Sequence, residues 1–191
     1  LEIVESRHPL YETLLDESSC YVPNKVFLNT TTSNPEKWQL DSERIILLTG
    51  ANFSGKSVYI TQVALLVILA QIGSFIPAKS ATIGLVDKVL TRVMSRESLS
   101  KTQSTFMIDS QQMSKCLRLM TRKSLIVIDE FGKGTDVYDG PALFGSIIEY
   151  LRSHSKCPRV IAATHFKELY DGTSQIFEEL DGLHHYHMDV Y

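Results

Sequence analysis

The sequence predicts an α/β fold in which a mostly parallel sheet is flanked by helices. Short continuous apolar runs of strand length alternate with longer segments of helical periodicity, and their strand–helix–strand spacing favours right-handed crossovers. The 191 residues, 43% hydrophobic and 21% charged, fit one globular domain. We expect residues 1–43 to form a small β-rich part and residues 44–191 to form the core.

The first half of the predicted core contains one strand and one helix. Residues 44–49 are rich in Ile and Leu, as is typical of a buried strand, and the strand ends at Gly50, where a turn is expected. From Gly55 to about Ile72 the apolar pattern becomes helical, and Gly73 ends it. The strand and helix are therefore joined by a short glycine-bounded loop.

The second half repeats the alternation. A helix is predicted from Ser104 to about Met120, and residues 124–128 and 159–163 read as two more buried strands. Between those strands, Pro141 suits an early helical position in a segment that runs to about Arg152. Residues 29–35 are polar and turn-rich, and we expect a loop or hairpin tip there.

Charge and cysteine content argue against several classes of protein. A formal net charge of −3 gives no basic excess, so any grip on DNA should lie in other parts of the protein. Cys20, Cys116 and Cys157 lie far apart, which disfavours a disulfide scaffold or zinc site and favours a reducing, intracellular compartment. The longest apolar run, residues 63–70, is far shorter than the roughly 20 residues of a membrane span. The chain opens at Leu1 with no leader pattern, and we expect it to be part of a longer protein.

Residues 50–57 carry the sharpest motif. They read Gly-Ala-Asn-Phe-Ser-Gly-Lys-Ser, a full G-x-x-x-x-G-K-S phosphate loop between a predicted strand and a predicted helix. Glycines at both ends let backbone N–H groups point at β- and γ-phosphates, and the helix start adds its positive end. Lys56 adds a point charge, and the Ser57 hydroxyl is placed to ligate Mg²⁺. The alternative is a glycine turn with a solvated lysine, which the flanking strand and helix disfavour.

The second motif is an apolar strand that finishes on two carboxylates, Asp129 and Glu130. Ligands bind at the carboxyl ends of strands in open α/β sheets. Successive side chains on a strand point to opposite faces, so the two carboxylates should do different work. We expect Asp129 to complete the magnesium site with Ser57, and Glu130 to orient or deprotonate the attacking water. A helix N-cap or a solvated turn is the structural alternative.

Histidines mark two further places. His165 follows the third predicted strand, where its imidazole can reach a γ-phosphate or the attacking water, although a lone histidine is often structural. His184, His185 and His187 lie close together in sequence, and two of them would share one strand face. Because no third ligand follows at a fitting spacing, a solvated strand is favoured over a metal site.

Taken in order, these segments resemble the ATPase domain of the MutS family of DNA mismatch-recognition and recombination proteins over essentially the whole chain. The resemblance implies a P-loop NTPase fold, similar to ABC-type ATPases, that binds ATP or ADP with Mg²⁺ and hydrolyses ATP as a dimer. The segments that carry it are the phosphate loop and residues 7–9, 21–24, 73–78, 104–109, 129–135, 138–140 and 163–165.

Within the family, Phe131, Lys133 and residues 97–100 and 140–146 look most like the fifth-homologue branch of fungi, which acts in meiotic crossing-over. That resemblance implies an ATP-switched DNA clamp that acts on branched recombination intermediates in the nucleus. It also implies a heterodimer with another MutS homologue, the meiotic fourth, and DNA contacts through regions outside this chain, with no membrane association.

The family pattern also assigns roles to residues. Tyr21 would stack on the adenine ring, and Ser104 would reach across the dimer to the γ-phosphate held by the partner, although it could also be a plain N-cap. Lys133 stands where arginine is common, and lysine lacks the bidentate fork of arginine. The catalytic set is then Glu130, His165 and Lys56; the nucleotide contacts are Tyr21, Gly50, Asn52, Ser54, Gly55, Lys56, Ser57 and Ser104; and the metal ligands are Ser57 and Asp129.

Three other functions compete with this interpretation. The chain could belong to a mismatch-repair MutS homologue, or it could be an ATP-dependent dimerisation module with negligible turnover. The third is the nucleotide-binding domain of a membrane transporter or chromosome-organising ATPase. Those ATPases carry a glycine-rich signature after a serine, whereas residues 104–109 here read Ser-Thr-Phe-Met-Ile-Asp, so the third is disfavoured.

Overall fold

The computed structural model describes residues 1–15, 21–28, 44–93, 105–133, 135–136, 138–166, 169 and 183–189. In these ranges helices and strands alternate as the sequence predicts. The strands are β1 (Glu2–Ser6), β2 (Asn24–Phe27), β3 (Ile45–Gly50), β4 (Ser80–Thr82), β5 (Val89–Arg92), β6 (Leu125–Asp129), β7 (Arg159–Ala163) and β8 (Leu183–Met188). The helices are α1 (Lys56–Gln71), α2 (Thr105–Leu119) and α3 (Asp139–Ser153), with a short 3-10 helix at Glu12–Leu14.

Two sheets form. The larger sheet has five strands in the order β5-β6-β7-β3-β8, and all its pairings among the described residues are parallel. The prediction of an α/β fold with a mostly parallel sheet flanked by helices is therefore confirmed. The smaller sheet is antiparallel, in the order β2-β1-β4, and takes its third strand from residues that follow α1.

The predicted elements of the core are present with small shifts at their ends. The strands at β3, β6 and β7 and the helices α1, α2 and α3 all lie within two residues of the predicted bounds. Strand β5 was not predicted, nor was the pairing of β8 beside β3. The predicted helix start at Ser104 and the predicted loop at residues 29–35 lie outside the described residues.

Strand β6 shows why the central strands are continuously apolar. Its odd positions, Leu125 and Val127, pack toward α1 and the small sheet, whereas Ile126 and Ile128 pack toward α2 and α3. All four are fully buried, and burial of each such side chain contributes about 1.5–3 kcal/mol. Both faces of the sheet are thus covered, as parallel sheets require. No helix in the described ranges is long and apolar enough to span a bilayer.

Candidate functional site

The loop between β3 and α1 depends on two glycines. Gly50 has φ 144°, and a Cβ there would lie only 2.5 Å from the Met188 carbonyl oxygen and 2.9 Å from Ser54 Oγ. Gly55 is left-handed (φ 89°) and precedes α1, whose N-terminus carries no side-chain cap. The first backbone N–H groups of an α-helix have no partner within the helix, so they remain available to an anion.

Lys56 folds back over this loop. Its side chain is buried, and Nζ donates hydrogen bonds to the carbonyl oxygens of Gly50 (2.8 Å) and Ala51 (2.7 Å). The hydroxyl of Ser54 is also buried and has no hydrogen-bond partner among the described residues. The loop therefore encloses a positive charge and a free polar group at the head of α1.

Ser57 and Asp129 meet across the interface between α1 and the sheet. The Ser57 hydroxyl lies close enough to the Asp129 carboxylate to lower its pKa. Asp129 continues the face of β6 that carries Leu125 and Val127 and packs against α1, which explains why it meets the first turn of that helix. The contact joins the two residues that the sequence paired as metal ligands.

The Asp129 carboxylate is in an environment that a cation would suit. Burial raises its pKa although the nearby Ser57 hydroxyl lowers it, and the neighbouring charge of Glu130 raises it further. Its Oδ1 atom is buried and lacks a hydrogen-bond partner among the described residues. An oxygen-only set of one hydroxyl and one carboxylate fits Mg²⁺, which keeps waters and takes phosphate oxygens for its other ligands. No group of three metal-binding His, Cys, Asp or Glu side chains occurs in the described ranges.

Glu130 leaves the strand through a turn. Its φ of 47° is left-handed, which is uncommon for a residue with a side chain, and its backbone N–H donates to the Ala163 carbonyl at 3.0 Å. Its carboxylate accepts a hydrogen bond from Lys133 Nζ at 2.7 Å. Burial by itself would raise the pKa of Glu130, but the Lys133 ammonium holds it below its ordinary value, so the group is ionised at neutral pH.

His165 lies near Glu130. Its ring packs against Phe166, with centroids 4.4 Å apart. Its positive charge, when protonated, also lowers the pKa of Glu130, after the larger effect of Lys133. The structure thus brings the two residues that were predicted to act on the terminal phosphate and its water into one neighbourhood.

An open cleft of about 840 Å³ unites most of the predicted nucleotide residues. Gly50, Asp129 and His165 are not among its lining residues, and Ser104 lies outside the described residues. Lys133, the lysine at the position where arginine is common, lines the cleft beside Glu130. The other lining residues are Tyr11, Tyr21, Val22, Asn24, Asn52, Phe53, Ser54, Gly55, Lys56, Ser57, Val58, Tyr59, His187, Met188 and Asp189.

Tyr21 is held in the cleft by a chain of polar contacts that the sequence did not reveal. Its hydroxyl donates to Oε1 of Gln62, a fully buried residue of α1. Gln62 Nε2 donates to Ser6 Oγ at 2.7 Å, and that hydroxyl donates to the Asn24 carbonyl at 2.8 Å. The available signal was Gln62 itself, a polar residue at the edge of an apolar helical run.

His184, His185 and His187 lie on β8, in agreement with the strand that the sequence predicts for them. The buried Thr49 hydroxyl hydrogen-bonds His185 Nε2 at 2.8 Å and His187 Nδ1 at 3.2 Å. Burial lowers the pKa of His185, and the charge of His187 lowers it further. These contacts hold the end of β8 against β3, so that His187, Met188 and Asp189 form one wall of the cleft.

A family model described as MutS domain V matches residues 46–191. The chain belongs to the MutS family. This MutS chain is 52% identical to MutS protein homolog 5 of Saccharomyces cerevisiae over all 191 residues, which cover 21% of that protein. It is 45% identical to DNA mismatch repair protein MutS of Chlamydia abortus over 172 residues, covering 90% of this chain and 20% of the relative. With the Porphyromonas gingivalis protein of the same name, the identity is 39% over the full chain and 20% of the relative. The MutS chain therefore spans about a fifth of the length of these relatives.

Proposed function

We propose that this chain is the ATP-binding and ATP-hydrolysing domain of a MutS homologue, with a P-loop NTPase fold similar to that of ABC-type ATPases. The observation that carries the proposal is the buried Oδ1 atom of Asp129, which has no hydrogen-bond partner among the described residues and belongs to a carboxylate near the Ser57 hydroxyl at the end of the phosphate loop. The hydroxyl comes from the start of a helix and the carboxylate from the end of a strand. Together they offer the oxygen ligands that Mg²⁺ takes from a protein when it is bound to a nucleoside triphosphate.

Each residue of the cleft has a separate task in this proposal. The N–H groups at the start of α1 bind the phosphates, together with Gly50, Asn52, Ser54 and Gly55. Lys56 turns from its own loop carbonyls toward the phosphate oxygens. Ser57 and Asp129 would hold Mg²⁺, which when bound neutralises negative charge on the β- and γ-phosphates.

The hydrolytic side of the site is assigned to the turn after β6. Glu130 is ionised, and its carboxylate can accept a hydrogen bond from water and orient it toward the terminal phosphate. We assign His165 to a hydrogen bond with the terminal phosphate or with the same water. It lies close enough to Glu130 for its charge to lower the pKa of that carboxyl group. Lys133 Nζ bonds one carboxylate oxygen, Oε2, so Oε1 is the oxygen of Glu130 that can receive a proton while this pair persists.

The part of the cleft that Tyr21 lines is assigned to the adenine base. Tyr21 presents an aromatic ring whose hydroxyl is tied to Gln62, so the ring is fixed before the ligand arrives. A pre-organised aromatic ring suits an adenine, which stacks at a cost of little side-chain entropy. The cleft volume of about 840 Å³ is in the range of small-molecule sites.

For the whole protein we propose an ATP-switched DNA clamp in meiotic crossing-over. The high identity to MutS protein homolog 5 across the full chain supports this branch. In that setting the protein is nuclear, pairs with the fourth MutS homologue, and contacts branched DNA through regions outside this chain. Ser104 of one subunit would complete the site of the other. The similarity to bacterial proteins named for mismatch repair keeps a mismatch-repair MutS homologue as the alternative.

One observation favours a second candidate, a module that binds ATP to dimerise but hardly turns over. The Lys133 ammonium bonds one oxygen of the Glu130 carboxylate and lowers its pKa, which makes Glu130 a weaker base. If that ion pair persists with nucleotide bound, binding can switch the conformation without hydrolysis.

Replacement of Glu130 by Gln separates the two candidates. The test uses the full-length protein with its MutS-family partner and measures phosphate release and ATP affinity in parallel. Glu149→Gln is the matched control, because the Glu149 side chain lies exposed on α3, where it forms an ion pair with Arg152. An ATPase loses phosphate release in Glu130→Gln and keeps bound ATP, whereas the control is unchanged. Equal phosphate release in both variants removes Glu130 from its assigned role, and negligible release by the unaltered protein supports the module.

A further inference from the structure

We propose that Arg92 and Asp109 form a positioning pair that sets the direction of Glu130. The proposal rests on the proposed function, because it concerns the turn that aims this carboxylate. Neither residue belongs to the phosphate loop or to the cleft lining. Arg92 ends β5, the strand that pairs with β6, and Asp109 lies on α2.

The peptide unit between Asp129 and Glu130 is held at both of its polar atoms. The Glu130 N–H donates to the Ala163 carbonyl on β7 at 3.0 Å, and the Asp129 carbonyl accepts a hydrogen bond from Arg92 Nη1. With its plane fixed between β5 and β7, this peptide leaves only the rotation at Glu130 to choose the exit direction. Glu130 adopts a left-handed φ of 47°, and this angle sets the exit direction. Conformations of this kind persist only where surrounding contacts enforce them.

The contacts of the Arg92 side chain are suited to holding this peptide. Its side chain is 1% exposed, and its guanidinium carbon lies 5.9 Å from the centre of the Phe131 ring. Its second terminal nitrogen, Nη2, forms an ion pair with Asp109, whose side chain is 15% exposed. A buried charge needs such a partner, and the planar fork lets one guanidinium satisfy a carboxylate and a carbonyl in two directions.

The pair also links the turn to α2. Because Asp109 lies one turn into that helix, a displacement of the start of α2 moves the guanidinium and hence the Asp129 carbonyl. Arg92 therefore couples the position of α2 to the orientation of Glu130.

The test compares Arg92→Lys, Asp109→Asn and the double variant in the full-length protein purified with its MutS-family partner. Lysine keeps the charge but cannot reach the carboxylate and the carbonyl together. Arg44→Lys is the matched control, since Arg44 also donates to a backbone carbonyl, that of Cys157 at 2.7 Å, beside the opposite ends of the strands. Thermal unfolding, ATP affinity, kcat and KM are measured for each.

We expect kcat to fall about ten- to a hundred-fold in Arg92→Lys, because small misplacements of reacting groups have effects of this size. ATP affinity should stay within about threefold, because the phosphate loop is untouched. Asp109→Asn should lower kcat less, and the double variant should be no worse than Arg92→Lys, because both residues act through one peptide. Arg44→Lys should leave kcat unchanged, whatever its effect on the unfolding temperature.

Three results overturn the proposal: an unchanged kcat in Arg92→Lys, a parallel loss of kcat and ATP affinity, or additive losses in the double variant. If Arg92→Lys does not fold, Asp109→Asn alone decides, and an unchanged kcat there is contradictory. The proposed function fails separately, when the unaltered protein shows no turnover or when Glu130→Gln leaves turnover intact.

Discussion

Replacement of Lys56 by Ala should have a small effect on folding and a large effect on nucleotide binding. In the structure the buried ammonium makes two charge-assisted hydrogen bonds, to the carbonyls of Gly50 and Ala51. Such bonds contribute about 1.5–3 kcal/mol each, but the desolvation of a buried ammonium offsets part of that gain. We expect the free energy of unfolding to fall by about 1–3 kcal/mol. The Tm should fall by about 2–4 °C for each kcal/mol lost.

The effect on ATP affinity is set by the lost charge. One pair of unit charges 4 Å apart contributes about 4 kcal/mol at an effective dielectric constant of 20. Lys56 must first leave its two carbonyls, so the net loss should be smaller, about 3–4 kcal/mol, or roughly two to three orders of magnitude in Kd. Lys79→Ala is the control, since Lys79 is largely exposed and its pairing with Glu5 contributes about 0–1 kcal/mol.

The assay is a titration of the full-length protein with a fluorescent ATP analogue in the presence of Mg²⁺, beside thermal unfolding without nucleotide. We expect Lys56→Ala to remain folded and to bind the analogue at least about a hundred times more weakly, while Lys79→Ala should match the unaltered protein. Normal affinity in Lys56→Ala would show that the phosphates bind elsewhere.

Three further predictions concern other parts of the molecule. Tyr21→Ala should weaken ATP binding about three- to tenfold through lost stacking, whereas Tyr21→Phe keeps the ring and should lose less than half of that free energy; equal losses in a titration would exclude stacking. Gly140→Ala should lower the free energy of unfolding by about 1–3 kcal/mol, because its Cβ would lie 2.9 Å from the Gly132 carbonyl oxygen and 2.9 Å from Phe166; Gly84→Ala, with only an ordinary 3.6 Å contact, is the control in urea unfolding. Asp87 should stabilise the fold above pH 4 and lose that effect as the pH falls toward 2. Burial raises its pKa, but hydrogen bonds from Thr121, Lys88 and Ser124 lower it to about 2, below its unfolded value. Asp87→Asn should therefore flatten the stability profile between pH 4 and pH 2, and an unaltered slope would contradict the assignment.

The core strands were predictable because a single physical cause determines their sequence. Strands such as β6 are buried on both faces and must be apolar at every position, and the glycine-bounded loop and paired carboxylates mark where two of them end. Strand β5 was missed because its four residues are only partly apolar and end on a charge. A short strand with an arginine resembles a loop in sequence, and only the pairing with β6 explains Arg92.

The parts of the site that depend on distant contacts could not be predicted. The sequence motifs marked Ser57 and Asp129 as candidates and the family resemblance marked Tyr21, but the side chains that support Tyr21 come from Gln62 on α1 and Ser6 on β1. The ion pair between Lys133 and Glu130 lies three residues apart in sequence, yet it depends on the left-handed turn at Glu130. No local pattern specifies that turn, because its cause is the pinned peptide between β5 and β7.

The decisive experiment for the nucleotide site is a crystal structure of the full-length protein with its proposed MutS-family partner, a non-hydrolysable ATP analogue and Mg²⁺. We expect the terminal phosphates over the start of α1, with Lys56 turned toward them, the metal ion at Ser57 and Asp129, and the adenine against Tyr21. An empty cleft, or a bound metal with Asp129 directed away from it, would refute the assignment of this site.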